Sequence, residues 1–380
     1  MQRWGGCVRG EGLLGGGGLC GGWRHGLKPT VLRHACGEGR LRAGSLEVVS
    51  APIVAVIGGG QLARMMQEEA SALGIHLRAL VEAADGSTGQ VTPDALVGAA
   101  DDEAAVRAVV AGDGTQGSGG EPAAVVTFEH EHQDASLLER LQAEGVSVQP
   151  APQALELARD KLAMRRAMSQ AGLPQPTWAE VGGPGQETAE QMADAVEAFA
   201  VEHGWPVVLK TPRGGYDGHG VLLVRSVESL HEGEAAEWLA SVARARAGQS
   251  DGQGTGGGGS LGGAVVTSLL VEQAIPFTRE LAVLLARRPS GQIAVWPVAQ
   301  TVQEDGMCAE VLAPAPGLDS IAVEETELIG RTVAERTGVT GVLAVELFAV
   351  ETFGEPTRLY VNELAMRPHN SGHWTQDGAV

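Results

Sequence analysis

The sequence predicts an α/β protein of several domains that opens on a parallel sheet. Three observations predict it. The run Ile53-Val54-Ala55-Val56-Ile57 is unbroken apolar and β-branched, as in a strand covered on both faces, and it passes at once through Gly58-Gly59-Gly60 into a helical stretch from Gln61. From there to Phe128, short apolar runs alternate with helical ones, which is the βαβ pattern. Farther on, a Gly-rich segment at 210–220 stands between two strand-like runs, not between a strand and a helix. A chain of 380 residues suits roughly two or three domains.

The elements follow in order. His76–Val81 is the second strand by its apolar content, residues 91–99 and 124–128 are further strands, and a helix is expected over 102–110. A single helix over 153–171 is stopped by Gly172, with Pro174 and Pro176 beyond it. The next unit reads as a helix near 187–203, strands at 206–210 and 220–224, a helix near 235–246 and a strand at 268–271. Between the last two lies a low-complexity Gly/Ser insertion, 246–263. Strands are then expected near 280–286, 293–298, 344–348 and 358–361, with a helix around 324–337. The expected division is a disordered Gly/Arg-rich leader over 1–50, an N-terminal βαβ domain over 51–152 and a linker helix over 153–176. A central α+β domain over 177–275 and a C-terminal α+β domain over 276–380 complete it.

Charge and cysteine content narrow the function. A net charge of −20 sets the chain against nucleic acid and anionic membranes as general partners. No run of about 18 apolar residues is present, so no transmembrane helix is expected. Cys7, Cys20, Cys36 and Cys308 show neither a CxxC pair nor Cys-His metal spacing, so a reducing cytoplasm fits better than a disulfide framework. The leader is acid-poor and has no hydrophobic period; a disordered or mistakenly translated segment is the main reading, and an organelle transit peptide the minor one.

Several motifs carry chemistry. The first glycine turn, Gly58-x-Gly60-x-x-Ala63, has Glu82 about twenty residues on at the end of the next strand. It admits an NAD-dependent oxidoreductase, or the binding of any phosphate at a helix N-terminus. The second element, Lys210-Thr211-Pro212-Arg213-Gly214-Gly215-Tyr216-Asp217-Gly218-His219-Gly220, is not a Walker loop, because no helix follows its glycines. A Gly loop between antiparallel strands, with Lys210 ending the first, suits a lid over nucleotide phosphates; a plain exposed hairpin is the alternative. Glu346 and Glu363 each follow an apolar run, and with Asn362 they make an oxygen-only set of the kind Mg²⁺ prefers; two surface acids are the alternative. Residues 362–374 gather an acid, Arg367, two imidazoles, two amides and a hydroxyl, which is the hydrogen-bonding capacity of a ligand site. Asn362 and Glu363 are expected at the end of the strand before it, where α/β enzymes place their chemistry. His76, His130 and His132 read as structural or surface histidines.

The segments GGGQLARM, TFEHEH, ARDKLAMRR, LKTPRGGYDGHG, VEQAIPFTRE, GVLAVELF and YVNELAMRPHNSGHWT stand in this order. Together they resemble the 5-(carboxyamino)imidazole ribonucleotide synthase family of the ATP-grasp superfamily, over about residues 53–380. GGYDGHG and NELAMRPHNSGHWT are the most specific parts. The resemblance implies an ATP-grasp fold with a Rossmann-like, biotin-carboxylase-N-like first domain and a central lid domain. It implies ATP and Mg²⁺, with Mn²⁺ as an alternative metal. Lys161 and Lys210 would contact ATP phosphates, and Gly215, Tyr216, Asp217, Gly218, His219, Gly220 and Val221 would form the phosphate lid. Glu272, Gln273, Ala274, Ile275 and Glu280 would surround adenine and ribose, with Gln303 near the nucleotide. Glu346 and Glu363, with Asn362, would hold Mg²⁺. Gly60 and Gln61, Glu129 or Glu131, Tyr216 and Asp217 would face aminoimidazole ribonucleotide. Arg367, His369 and Asn370 would hold bicarbonate and carboxyphosphate.

The implied reaction joins ATP, bicarbonate and aminoimidazole ribonucleotide into the N-carboxylated product, ADP and phosphate, in purine biosynthesis, on a homodimer. Family members continue past Val380 with a helix and strand segment. The chain is therefore expected to be a fragment with weakened or absent activity. An inactive nucleotide-binding protein is thus the third reading, beside the ligase and the oxidoreductase.

Overall fold

A computed structural model describes residues 51–113, 120–214, 220–248, 266–304 and 306–378. The leader, the loop residues Gly215, Tyr216, Asp217, Gly218 and His219, and most of the insertion lie outside the described residues.

The first sheet comes from β1 (Ile53–Ile57), α1 (Gln61–Leu73), β2 (His76–Val81), β3 (Ala95–Val97), α2 (Glu103–Ala111), β4 (Val125–Phe128) and α3 (Ala135–Ala143). It is parallel, in the order β3-β2-β1-β4. Ala55 and Ile57 pack into the cluster with Val106, Val109 and Leu138, while Val56 packs with Ala63 and Ala70 of α1. Both faces of β1 are thus covered, as its unbroken apolar run requires. The expected strand over 91–99 shrinks to β3; Pro93 has no N–H to give a ladder.

The expected single helix over 153–171 is two, α4 (Pro152–Arg159) and α5 (Lys161–Ala171). Asp160 between them is extended, and its carboxylate accepts from the Ala163 amide at 2.9 Å. An Asp that caps a new helix competes with continuing the old one.

The second sheet is built by β5 (Trp178–Val181), α6 (Ala189–His203), β6 (Val207–Lys210), β7 (Val221–Val224), α7 (Val227–His231), α8 (Glu234–Arg246) and β8 (Leu269–Gln273). Its order is β5-β8-β6-β7, all antiparallel, so β8 and β6 are central. The Gly-rich segment does join two antiparallel strands, β6 and β7.

The third sheet takes β9 (Arg279–Arg287), β10 (Ile293–Val295), β11 (Ala299–Glu304), β12 (Met307–Leu312), α9 (Ser320–Thr337), β13 (Gly341–Val350) and β14 (Arg358–Ala365), followed by a 3-10 turn at Asn370–Gly372 and the short α10 (Thr375–Gly378). Its order is β12-β11-β9-β13-β14, with β10 also on β9. One face forms a core against α9: Leu281, Val283 and Leu285 from β9, and Leu343, Val345 and Leu347 from β13. From β14 come Leu359 and Val361, then Leu364, with Met366 beyond. That alternation slips one residue at Asn362-Glu363, and the register shows why: Glu346 pairs with Glu363, but Leu347 pairs with Val361. A β-bulge absorbs the extra residue. The expectation that Asn362 and Glu363 close the strand is corrected: β14 runs on to Ala365, and the two lie at an interior bulge. No helix among the described residues is long and apolar enough to cross a membrane.

Candidate active site

Two lysines from different elements converge on that bulge. Lys161 occupies the first position of α5, where a cation opposes the helix macrodipole. Glu363 holds it there, accepting from Nζ through Oε1 at 2.7 Å. Lys210 ends β6 and donates from Nζ to Glu272 Oε2 at 2.7 Å and to Asn362 Oδ1 at 3.3 Å. A regular strand would send Asn362 and Glu363 to opposite faces; the bulge lets consecutive residues serve two neighbouring cations.

Behind Lys210 lies a buried ion cluster. Glu272 of β8 is 2% exposed and accepts from Arg165 Nε through Oε1 at 2.5 Å. Arg165 stands one turn after Lys161 on α5, fully buried, and donates from Nη1 to the Val361 carbonyl at 2.8 Å. Burial pushes the Glu272 carboxyl up, but Lys210 and Arg165 outweigh it and bring it down to about 2. Burial dominates at Lys210 and lowers it in spite of Glu272. At Lys161 burial is outweighed by Glu363, which raises the ammonium; at Glu363 burial is outweighed by Lys161, which holds the carboxyl below its ordinary value. Glu272 was expected to read adenine or ribose. In the structure both its oxygens are engaged by cations inside the fold, Oε1 by Arg165 and Oε2 by Lys210. Gln273, Ala274 and Ile275 remain partly exposed at the strand's end. Phe277 stacks on Phe348 just beyond, with centroids 4.6 Å apart and planes 10° apart.

The carboxylates form a second group. Glu346 on β13 sits directly opposite Glu363, and Glu280 on β9 registers with Phe348, two residues along from Glu346. All three therefore project from one face of the sheet. Burial, and then the charge of Glu346, push the Glu280 carboxyl up to about 7. The Cys308 thiol on β12 is raised by burial and by the same two carboxylates. His369 Nε2 lies 3.1 Å from Glu346 Oε1, while its Nδ1 lies 2.9 Å from Ser371 Oγ. Among the described residues no three His, Cys, Asp or Glu are gathered into a closed metal site. Two facing carboxylates and an amide oxygen that leave positions for water and phosphate are a donor set that fits Mg²⁺.

The first glycine turn has a tenant of its own. Glu129, at the end of β4, accepts from the Gly60 amide through Oε2 at 2.5 Å and from the Leu62 amide through Oε1 at 3.0 Å. A Cβ on Gly60 would stand 2.3 Å from Glu129 Oε1, and Gly58 sits at φ +115°, so this turn needs its glycines. The amides that a dinucleotide pyrophosphate would use are occupied by a carboxylate. Of Glu129 and Glu131, it is Glu131 that faces the terminal stretch. It accepts from Arg367 Nε at 2.5 Å and Nη2 at 3.4 Å, and Arg367 outweighs burial to keep its carboxyl low. Gln61 and Asn370 are exposed; so is Gln303, where the β11–β12 register shifts. Gly220 accepts from the Thr211 amide at 2.9 Å, and Val221 opens β7, exposed.

The sequence reading missed Arg165 and Arg213. Arg213 ties the base of the Gly-rich segment to α4 and Asp160, donating from Nε to Asp160 Oδ2 at 2.9 Å and pairing with Glu156. The signal for Arg165 was its place four residues after Lys161, on the same helical face.

The ATP-grasp domain profile matches residues 166–380, and the ribonucleotide synthetase preATP-grasp domain profile matches residues 52–159. The N5-carboxyaminoimidazole ribonucleotide synthase of Corynebacterium ammoniagenes is 39% identical, over 87% of this chain and 69% of the relative. The chain belongs to the ATP-grasp family, in its N5-carboxyaminoimidazole ribonucleotide synthase branch. The Mycobacterium bovis member of the branch is 45% identical over 87% of this chain. The chain spans 66% of that relative's length. Among ATP-grasp structures, an N5-carboxyaminoimidazole ribonucleotide synthetase in complex with ADP has a TM-score of 0.68 and 29% identity, covering 86% of this chain and 74% of that one. An Aspergillus clavatus synthase with ADP and 5-aminoimidazole ribonucleotide has a TM-score of 0.67 and 26% identity, covering 87% and 73%. The family and the Glu129-filled turn together overturn the NAD reading.

Proposed function

We propose that the chain carries an ATP-dependent carboxylating ligase site: bicarbonate is phosphorylated by ATP and the resulting carboxyl group is passed to the amine of 5-aminoimidazole ribonucleotide. The observation that carries the reading is the bulge at Asn362-Glu363, where Lys161 and Lys210 converge beside Glu346. Two ammonium groups at one point suit a polyphosphate. Glu346 and Glu363, with Asn362, would hold Mg²⁺. When bound, the metal supplies positive charge to the oxygens of the transferring phosphoryl group.

The residues then divide the work. Lys161 and Lys210 leave Glu363 and Glu272 for the phosphate oxygens as the nucleotide enters. Gln273, Ala274, Ile275 and Glu280 border the base and ribose, next to the Phe277–Phe348 stack. Gly215 to Val221 supply amides over the phosphates, with Tyr216 and Asp217 toward the second substrate. Arg367 presents a planar fork that now clasps Glu131; bicarbonate has the same planar pair of oxygens and takes the carboxylate's place. His369 and Asn370 complete that pocket. Glu131, released, turns to the aminoimidazole ribonucleotide beside Gly60 and Gln61. Attack of bicarbonate oxygen on the γ-phosphorus expels ADP and forms carboxyphosphate. The amine nitrogen then attacks its carboxyl carbon, phosphate leaves, and a proton passes from nitrogen to solvent or a nearby base. Carboxyphosphate hydrolyses readily, so exclusion of water is part of the design. The reading includes a cytoplasmic homodimer and the three-domain division drawn from the sequence.

The test is ADP release measured with each substrate omitted in turn. Release that needs both bicarbonate and aminoimidazole ribonucleotide supports the reading. Nucleotide binding with no release under any combination rejects the activity.

A further inference from the structure

Arg165 has no part in the steps above, yet its guanidinium is fully buried beside the lysine that ends β6. Its Nε takes one oxygen of Glu272 at 2.5 Å, and Lys210 has the other at 2.7 Å. One carboxylate is thus divided between two cations. Its Nη1 holds the carbonyl of Val361, the residue just before the bulge. Its Nη2 has no hydrogen-bond partner.

A buried Glu–Lys pair left to itself is neutral, and the carboxylate would turn both oxygens to the ammonium. The third member prevents this. It keeps Oε1 occupied, so Lys210 is held by one oxygen only. It also leaves the cluster with a net charge of about +1, from two cations and one anion, in a dehydrated setting where that excess is felt strongly. A polyphosphate entering the site neutralises it. A lysine could supply the charge on Glu272 Oε1, which is the larger of the two contributions, while the weaker hold on the Val361 carbonyl needs the fork.

We infer that Arg165 is a positioning residue for nucleotide binding: by engaging Glu272 it keeps Lys210 available for exchange from carboxylate to phosphate, and by holding Val361 it fixes the bulge that aims Asn362 and Glu363. The inference rests on the nucleotide reading proposed above.

The test uses the full chain, ADP with Mg²⁺, calorimetric binding, and thermal unfolding in parallel. R165M is expected to weaken binding by roughly tenfold or more, the worth of a charge-assisted hydrogen bond. R165K keeps the charge and is expected to stay within about threefold of wild type. In turnover the R165M loss falls on KM for ATP and leaves kcat within about twofold. The decisive arm is a double-mutant cycle with E272Q. With the carboxylate gone, Arg165→Met changes ADP affinity by less than about threefold, whereas a role in folding alone would cost the same in both backgrounds. Wild-type affinity in R165M, or equal losses in the two backgrounds, overturns the inference. Should R165M fail to fold, R165K carries the test, and a tenfold loss there overturns it. Absence of ADP binding by wild type overturns the nucleotide reading itself, which is a different result.

Discussion

Glu280 sits on a sheet face beside another carboxylate, and its ionisation gives a measurement that needs no substrate. Burial, and then the charge of Glu346, raise it from 4.5 to about 7. Its folded value lies above its unfolded one, so the folded protein binds this proton more tightly. The stability the proton contributes is fully present below about pH 4.5 and is lost as pH rises through about 7. The interval corresponds to ~3.4 kcal/mol as a ceiling; Glu280 keeps some contact with solvent, and screening brings the expected figure to about 1–2 kcal/mol. Wild type should lose that much between pH 5 and pH 8. The isosteric, uncharged E280Q should not. Melting curves of the two proteins across this range give the difference, in which contributions common to both cancel. E280Q should melt roughly 1.5–3 °C above wild type at pH 8 and level with it at pH 5. Added Mg²⁺ at pH 8 should narrow the gap by relieving the repulsion between Glu280 and Glu346. Curves that run parallel from pH 5 to 8 would refute the account of this face.

Other changes test other parts. E272A leaves Arg165 and Lys210 buried without their shared anion and should destabilise by about 3–5 kcal/mol; a loss under about 1 kcal/mol in denaturant titration would mean the cluster is not closed in solution. The same carboxyl, held at about 2, contributes stability that is present above about pH 4.5 and lost as pH falls through about 2, so wild type should lose more stability on acidification than E272Q. E129A strips the Gly60 and Leu62 amides of their acceptor and should cost about 2–4 kcal/mol, read as faster amide exchange at the start of α1; unchanged exchange there would contradict the capped turn. E131Q frees the Arg367 fork and should lower KM for bicarbonate about threefold while raising it for aminoimidazole ribonucleotide; both constants falling together would speak against the exchange.

Much of this site was readable in the sequence, and the misses have identifiable causes. Unbroken apolar runs placed β1, β2 and β4, because a parallel strand covered on both faces leaves little else it could be. Lys210 before the glycines and the pair Glu346/Glu363 were found from their places after apolar runs. The bulge was written in the chain as well: apolar residues at 359 and 361, then at 364 and 366, miss one beat at Asn362-Glu363. A reading that looked only for a strand's end stopped there. The break at Asp160 was missed because helical periodicity over 153–171 outweighed one capping residue. The burial of Glu272 was not legible. It follows from β8 lying between β5 and β6, and no local pattern reports which strand is central. Nor does local sequence separate Glu129 from Glu131, two residues apart; the glycine turn claims one and Arg367 the other.

On the proposed reading, the carboxylates facing each other across β13 and β14 hold a metal against a nucleotide gripped by Lys161 and Lys210. A crystal structure with ADP and Mg²⁺ tests it most directly. The expected result is one metal bound by Glu346 and Glu363 together, with both lysines moved onto phosphate oxygens. ADP bound elsewhere, or a metal on neither glutamate with Lys161 still on Glu363, would contradict the account.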